Sequence, residues 1–160
     1  MYKFQNGDRY EGDYVQGERT GQGILMYDNG DKYTGTFKEG TKDGLGTMIW
    51  HNGDTYTGQW QNDMQNGTGK LIKRNNDVFE GQFRNGKVDG DVIIHYANGN
   101  IFKGVYKDGR PDGTAVEISK DGTSFEGNYV NGVRDGKYVE RDHNGQITGQ
   151  GTYRNGNRGQ

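Results

Sequence analysis

The chain has 160 residues, enough for one domain, yet only 28% of them are hydrophobic, which is low for a globular core. Aromatic residues make up 12% and the net charge is only −2, a combination that argues against a disordered, self-repelling chain. The absence of cysteine excludes disulfides and thiolate metal sites, and the near-neutral charge gives no general attraction to nucleic acid.

The first complete structural unit begins at Tyr10. The segment Tyr10-Glu11-Gly12-Asp13-Tyr14 alternates aromatic residues or glycine with acidic residues, which predicts a β-strand with both tyrosines on one face. Residues 17–21 predict a turn, and a second strand follows through Leu25 and Tyr27. The next turn, Asp28-Asn29-Gly30-Asp31, has the Asn-Gly pair typical of hairpins. This segment is therefore predicted to form one β-hairpin.

The same aromatic-x-Gly-x-aromatic pattern recurs with a constant spacing of 23 residues, starting at positions 10, 33, 56, 79, 102 and 125. Further glycines recur at fixed offsets, and Asp63 and Asn76 replace glycine in two of these columns. Because Asn and Asp tolerate positive φ best after glycine, we predict left-handed turn conformations there. The predicted single domain, residues 1–160, thus contains a half repeat (1–9), repeats 10–32, 33–55, 56–78, 79–101, 102–124 and 125–148, and a partial repeat (149–160).

An isolated hairpin is only marginally stable, so successive hairpins are expected to pack side by side. Aromatic residues of adjacent strands then form cross-strand pairs, which contribute roughly 0.2–1 kcal/mol each. Glycines inside the strands leave room for the rings and favour twist and bending. We predict an all-β fold: an elongated, twisted, single-layer antiparallel meander of tandem β-hairpin repeats with a concave aromatic groove.

Residues Tyr33–Gly46 follow the longer pattern aromatic-x-Gly-x-aromatic-x-x-Gly-x-x-x-Gly-x-Gly, and Tyr56–Gly69 follow it nearly completely. This pattern resembles the MORN (membrane occupation and recognition nexus) repeat, and the resemblance covers roughly residues 2–156. It implies a single-layer, twisted antiparallel sheet. It also implies binding to proteins or, in some members of the family, to acidic phospholipid.

The last three repeats depart from this pattern. Their second Gly-x-Gly glycine is replaced by Val92, Ala115 and Tyr138. Two positions beyond that glycine, Leu25, Met48, Leu71 and Ile94 give way to Glu117 and Glu140, so the apolar groove is expected to be richest over the first four repeats. Val116, Ile118 and Val139 have the opposite strand parity, which predicts either a change in the buried face or an apolar patch on the other side.

A one-layer sheet cannot cover both sides of its aromatic rows, so we expect some rings to form an exposed apolar patch. Trp and Tyr are favoured hot-spot residues in such patches. The first hypothesis is therefore a non-catalytic scaffold or adaptor that holds a helix or an extended segment of a protein partner. The predicted groove residues are Tyr10, Tyr14, Leu25, Tyr27, Tyr33, Phe37, Met48, Trp50, Tyr56, Trp60, Leu71, Phe79, Phe83, Ile94 and Tyr96.

The alternative hypothesis is a membrane adaptor that binds acidic phospholipid, such as phosphoinositide, through a basic edge. Aspartates lie beside these cations, so an ordinary solvated turn edge is the competing interpretation. A third hypothesis is a homodimer formed through the exposed edge strands near Tyr2 and Tyr153. The predicted basic edge consists of Arg19, Lys42, Lys87, Arg110 and Arg134.

No catalytic constellation is predicted, because residue spacing assembles no Ser-His-acid set, and we expect the chain not to be an enzyme. The three histidines share no repeat position, so neither a metal site nor a cofactor is predicted. Gly-x-Gly recurs without the following helix that a phosphate-binding loop needs. No stretch approaches the roughly 20 apolar residues of a membrane span, so we expect a cytoplasmic protein, or one peripheral at a membrane or the cytoskeleton.

Overall fold

The computed structural model of the protein describes residues 1–159, and in that range it contains only β-strands, turns and irregular connections. Those residues include no helix with the length and apolar character needed to cross a membrane. The chain divides into two compact units. Unit 1 comprises residues 1–75 and 83–86, and unit 2 comprises residues 76–82 and those from 87 onward.

Within each unit, successive strands pair antiparallel, which confirms the predicted all-β meander of hairpin repeats. A complete repeat of unit 1 has a seven-residue strand and a nine-residue strand joined by a two-residue turn. The strands of unit 1 are β1 (Tyr2–Lys3), β2 (Arg9–Val15), β3 (Glu18–Met26), β4 (Lys32–Lys38), β5 (Thr41–Ile49), β6 (Thr55–Gln61) and β7 (Met64–Ile72).

Unit 2 continues the same design. Its last complete repeat is interrupted, because the second strand of that hairpin is split into two pieces that both pair with the preceding strand. The strands are β8 (Val78–Arg84, of which residues 78–82 belong to unit 2), β9 (Lys87–His95), β10 (Ile101–Lys107), β11 (Arg110–Ile118), β12 (Ser124–Val130), β13 (Val133–Arg134), β14 (Gly136–Arg141), β15 (Ile147–Arg154) and β16 (Asn157–Arg158).

The turn inside each repeat is shorter than the predicted range of residues 17–21. Gln16 and Gly17 alone connect β2 to β3, and their φ angles of 51° and 81° fit a type I′ turn. Gly21 instead lies inside β3, where a bulge shifts the register between Gly12 and Asp13. The prediction was wrong here because glycine marks both a turn and a bulge, and its spacing alone does not separate them.

The two residues that replace glycine in the glycine columns adopt the predicted left-handed conformation. Asp63 has a φ of 68° and Asn76 has a φ of 74°. These columns are therefore defined by a backbone conformation that Asn and Asp can share with glycine.

Aspartate side chains join the turns of neighbouring repeats. Oδ1 of Asp54 accepts a hydrogen bond from the backbone N–H of Arg74 at 2.8 Å, and Oδ2 of Asp112 accepts one from Asn131 at 3.1 Å. These carboxylates thus organise turns, and residues 1–159 contain no group of three His, Cys, Asp or Glu side chains placed to hold a metal ion. The Asp54 contact recurs with Asp8, Asp31, Asp77 and Asn100 as acceptors.

The core of unit 1 is a ladder of aromatic rings on one side of the sheet, which we call the aromatic face. Tyr33 packs edge-on against Phe37 and Trp60, with centroid distances of 5.1 and 5.2 Å and interplanar angles of 77° and 85°. Tyr10 and Tyr56 repeat this arrangement with their own neighbours. Edge-to-face packing is a favoured geometry and contributes about 0.5–1.5 kcal/mol per pair beyond area burial.

Glycine pairs let the tyrosines of unit 1 lie directly against the backbone. Gly35 faces Gly46 across β4 and β5, and a Cβ at Gly46 would lie only 2.2 Å from the Tyr33 hydroxyl. The hydroxyl reaches over this gap and donates to the carbonyl of Thr36 at 2.9 Å. Tyr33 is consequently fully buried. Burial likewise raises the pKa of Tyr56 to about 12, so its phenol remains a neutral donor.

Unit 2 has phenylalanine at the first aromatic position and a larger residue in place of the second glycine. Gly104 faces Ala115, beside the buried ring of Phe102. In the next repeat, Tyr138 occupies the glycine position and stacks on Phe125, with a centroid distance of 5.8 Å and an interplanar angle of 16°. Phenylalanine has no hydroxyl to bond over the backbone, so its ring leaves room for these side chains.

Candidate functional site

The structure divides the fifteen predicted groove residues into two sets. Rings that pack over glycine pairs cover one another. Most of the fifteen residues therefore belong to the core and cannot offer a whole ring face to a partner. The residues left half-buried or exposed are Tyr14, Tyr27, Trp50, Leu71, Phe79 and Tyr96. The buried ones are Tyr10, Leu25, Tyr33, Phe37, Met48, Tyr56, Trp60, Phe83 and Ile94.

Lys42, one of the predicted basic-edge residues, lies across the aromatic face. It is only 8% exposed, and its Nζ is 5.2 to 5.8 Å from the ring centroids of Tyr27, Tyr33 and Trp60. The Nζ donates to the Tyr27 hydroxyl at 2.6 Å and lies 3.8 Å from the Asp63 carboxylate. Its charge is therefore stabilised by rings and a carboxylate within unit 1.

Arg134 has the corresponding position in unit 2. Its guanidinium carbon lies 3.7 Å from the Phe125 ring centroid, and its Nη2 donates to Glu117 at 2.7 Å. It also donates to the hydroxyls of Tyr129 and Tyr153, both at 3.2 Å. Burial disfavours the charged form, but these hydrogen bonds outweigh it and raise the pKa of Arg134. A polar network thus covers the aromatic face in unit 2.

The five predicted basic residues all follow the turn inside a repeat, but they occupy two neighbouring repeat columns. The guanidinium carbon of Arg19 also lies over rings, 5.5 to 5.9 Å from three centroids, like the two cations described above. Of the five, only Lys87 and Arg110 are exposed. These two occupy one repeat column and the other three occupy the next, and neighbouring columns point to opposite faces of a strand. A common basic edge stays a prediction.

A groove of about 980 Å³ lies in unit 2 on the face opposite to the aromatic rings. We call it the valine groove and define its floor by Ile93, Val105, Val116 and Val139. Ile93 is 41% exposed and the three valines are half-buried, so apolar surface faces solvent there. Of the two alternatives that the sequence raised for Val116 and Val139, the structure therefore shows an apolar patch on the other side.

Apolar and charged residues alternate along the valine groove. Lys103 on β10 pairs directly with Ile93 on β9 and with Val116 on β11. Glu126 on β12 pairs directly with Val116 and with Val139 on β14. The row across these strands is Ile93, Lys103, Val116, Glu126 and Val139.

The two ends of the valine groove carry opposite charges. Glu80 on β8 and Asp91 on β9 lie at one end, and Lys137 and Arg141 on β14 lie at the other. Charges placed in this way orient a bound molecule more than they strengthen its binding. The groove thus combines an apolar floor with a defined polarity.

The sequence indicates two valines of the groove by their strand parity, but the groove itself is not predicted from it. Aligning the repeats by column would have shown it, because the column containing Val116 changes character along the chain. In unit 1 this column holds Ile24, Thr47 and Lys70, and in unit 2 it holds Ile93, Val116 and Val139.

The regular hairpins, glycine columns and aromatic ladder define the class of protein, a tandem β-hairpin repeat protein. The sequence profile of the MORN repeat matches seven stretches that together span most of the chain, so this protein belongs to the MORN repeat family. The matched residues are 10–32, 33–55, 56–78, 79–90, 102–124, 125–137 and 143–159.

A solved structure with a TM-score above 0.5 shows a similar fold at low sequence identity. The TCP domain of SAS-4 (dCPAP) of Drosophila melanogaster, in complex with a proline-rich motif of Ana2 (dSTIL), is 18% identical, with a TM-score of 0.58 over 91% of this chain and 79% of that chain. The TCP10 domain of Danio rerio CPAP in complex with a STIL peptide is 17% identical, with a TM-score of 0.24 over 94% and 92% of the two chains. No curated protein sequence matches the chain.

Proposed function

We propose that this MORN-repeat chain is a non-catalytic scaffold that binds a segment of a partner protein in the valine groove. The observation that carries the proposal is the row of solvent-facing apolar residues, Ile93, Val116 and Val139, in a groove of about 980 Å³. Exposed apolar patches with polar surroundings mark interaction sites. From β9 to β14 the row crosses four strand spacings, about 19 Å, which suits a stretch of polypeptide.

The Drosophila TCP domain supports a polypeptide as the type of ligand. That domain has a similar fold and forms a complex with a proline-rich motif. A sheet of this architecture can therefore offer enough surface for an extended segment. The valine groove is proposed as the binding site because of the residues that line it in this chain, and not because of the likeness to that domain.

The rim of the aromatic face is a second candidate surface for a protein partner. Tyr27 and Trp50 are half-buried there, so a partner would contact ring edges. Tyr27 also accepts the hydrogen bond from Lys42, and its substitution would disturb the core. Trp50→Ala is therefore the cleaner test, and undiminished partner capture by this variant would exclude the rim.

Binding of acidic phospholipid is the alternative proposal. Its support is the exposure of Lys87 and Arg110 at neighbouring turns of one repeat column. Co-sedimentation with phosphoinositide-containing liposomes at low and at physiological salt tests it. Binding that persists at physiological salt and is lost in Lys87→Glu/Arg110→Glu would favour the lipid function, whereas binding that is indifferent to both changes would contradict it.

The scaffold proposal is tested by selecting a displayed library of random peptides against the whole chain. Affinities of the enriched peptides are then measured on the wild type, on Val116→Lys and on Thr47→Lys. Both substitutions place lysine in the repeat column that naturally holds Lys70, so both variants are expected to fold.

We expect the enriched peptides to lose about tenfold or more in affinity, about 1.4 kcal/mol, on Val116→Lys. Thr47→Lys is the matched control in unit 1 and should leave affinity nearly unchanged. Circular dichroism melting curves establish that both variants remain folded. Peptides that bind Val116→Lys as tightly as the wild type would show that the valine groove is not the binding site.

A further inference from the structure

The apolar residues on the floor of the valine groove have a regular spacing across the strands. Ile93, Val116 and Val139 lie on β9, β11 and β14, and one strand separates each from the next. Direct pairing through Lys103 and Glu126 places all five in one row. Because neighbouring strands are about 4.8 Å apart, successive apolar residues are about 9.6 Å apart.

We infer that the valine groove takes a polypeptide segment in the left-handed polyproline II conformation, with an apolar side chain at every third position. The inference depends on the proposed protein-binding function of this groove. A polyproline II helix rises about 3.1 Å per residue with three residues per turn, so positions i, i+3 and i+6 recur every 9.3 Å or so. Strand spacings of about 4.7–4.9 Å give steps of about 9.4–9.8 Å in the row, so the two periods agree to within about 0.5 Å per step.

Other regular conformations fit the row less well. In a segment bound as a β-strand, residues on one face recur every 6.8 Å or so. The second of its inward-facing side chains would then lie against Lys103 or Glu126 and not against an apolar residue. Heptad positions of an α-helix recur about every 10.5 Å, so the mismatch grows to about 2 Å over the two steps from Ile93 to Val139. A polyproline II segment also has no internal hydrogen bonds, and its carbonyls can accept from Lys103 or from Asn128, which line the groove.

The charges at the two ends give the bound segment a direction. Glu80 and Asp91 favour a basic residue at their end, whereas Lys137 and Arg141 favour an acidic residue at the β14 end. The row from β9 to β14 spans about six residues of polyproline II. The recognised sequence therefore has three apolar residues spaced by two, between a basic and an acidic flank.

The test uses synthetic fluorescent peptides and the whole chain, with binding measured by fluorescence anisotropy. The probe peptide has valine at every third position, prolines between the valines, and lysine and glutamate at opposite ends. Its controls are a peptide of the same composition with the valines at adjacent positions, a heptad-patterned helical peptide with the same end charges, and a peptide with the end charges exchanged.

We expect the period-three peptide to bind at least about tenfold more tightly than the rearranged and helical controls. The peptides with the original and the exchanged end charges should differ in affinity. The double substitution Lys137→Glu/Arg141→Glu should weaken binding of whichever peptide the wild type binds more tightly. Val116→Lys should abolish binding, whereas Thr47→Lys should not. Equal affinity of the period-three and rearranged peptides, or tighter binding of the helical peptide, would overturn the polyproline II inference.

The outcomes also separate this inference from the scaffold proposal. If the helical or rearranged peptide binds best and loses affinity on Val116→Lys, the valine groove remains a protein-binding site and the inference on conformation is wrong. If no peptide responds to Val116→Lys, including those selected from the random library, both proposals are wrong.

Discussion

The first aromatic position differs between the two units of the molecule. In unit 1, a tyrosine lies over a pair of glycines and donates to a backbone carbonyl, as Tyr33 does over Gly46. In unit 2, a phenylalanine without that hydrogen bond lies beside a residue with a side chain, as Phe102 does beside Ala115. The tyrosine hydroxyl and the second glycine are thus present together or replaced together, which indicates that the two positions are energetically coupled.

The residues on the other face of the sheet, away from the aromatic rings, also differ between the two units. The column that contains Ile24, Thr47 and Lys70 in unit 1 holds Ile93, Val116 and Val139 in unit 2. In unit 2, the side of the sheet with the aromatic rings carries the polar network of Glu117, and the other side carries these three apolar residues. A repeat can therefore exchange which face carries accessible apolar surface without a change in strand order or turn type.

The largest loss of stability is expected when only one member of a coupled tyrosine–glycine pair is substituted. Gly46→Ala places a methyl group 2.2 Å from the Tyr33 hydroxyl and should reduce the free energy of unfolding by about 2–3 kcal/mol. Tyr33→Phe/Gly46→Ala copies the Phe102–Ala115 pair and should recover part of that loss. Urea denaturation of the two single variants and the double variant gives the coupling energy. Strictly additive losses would contradict the coupling.

A smaller loss of stability is expected when Lys42 or Arg134, two of the cations that lie over aromatic rings, is replaced. Lys42→Ala removes an alkyl chain and a charge packed over three rings and should cost about 2 kcal/mol, whereas Lys42→Met keeps most of the packing and should cost about 1 kcal/mol.

Arg134→Met is the matched change in unit 2. It leaves Glu117 without its partner at 2.7 Å, but both side chains are about 30% exposed (32% and 30%), so water can solvate the carboxylate. We expect a loss of about 1 kcal/mol, measured by thermal unfolding. A clearly larger loss for Arg134→Met than for Lys42→Met would show that unit 2 depends more on its cation than unit 1 does.

The smallest effect concerns the aspartates that join the turns. The hydrogen bond from the Arg74 backbone, together with Lys73, lowers the pKa of Asp54 below its usual value. A carboxylate with a lowered pKa in the folded state stabilises the fold above its unfolded pKa, and that contribution is lost as the pH falls through the folded value. Asp54→Asn copies Asn100 of unit 2 and should flatten the decline in stability below about pH 4. An unchanged acid profile would contradict this role for Asp54.

Most of the fold could be predicted from sequence because the repeat is encoded locally. The alternation of residue types around Tyr33 predicted a β-strand. The replacement of glycine by Asp63 and Asn76 in two columns predicted their left-handed conformations. The position of the turn could not be predicted, since Gly17 and Gly21 have the same residue type but serve a turn and a bulge.

The candidate site was harder to predict, because it depends on which rings cover each other. Tyr33 and Trp60 belong to the predicted groove, but the edge-on ladder and Lys42 bury them. Composition gives the number of rings but not their mutual packing. The parity of Val116 was visible in the sequence, yet the groove depends on Ile93 and Val139 lying in the same row, which only the strand register establishes.

The contact between the Asp54 carboxylate and the Arg74 backbone has a consequence for how such a chain can change its length. Donor and acceptor are 20 residues apart and belong to consecutive repeats, so no repeat needs a partner beyond its neighbour. Duplication or deletion of a whole repeat would therefore leave every remaining junction intact. Under the polyproline II inference, each added repeat of the unit 2 type would extend the groove by about 9.6 Å and the recognised sequence by three residues or so, so selectivity could evolve in discrete steps through copy number.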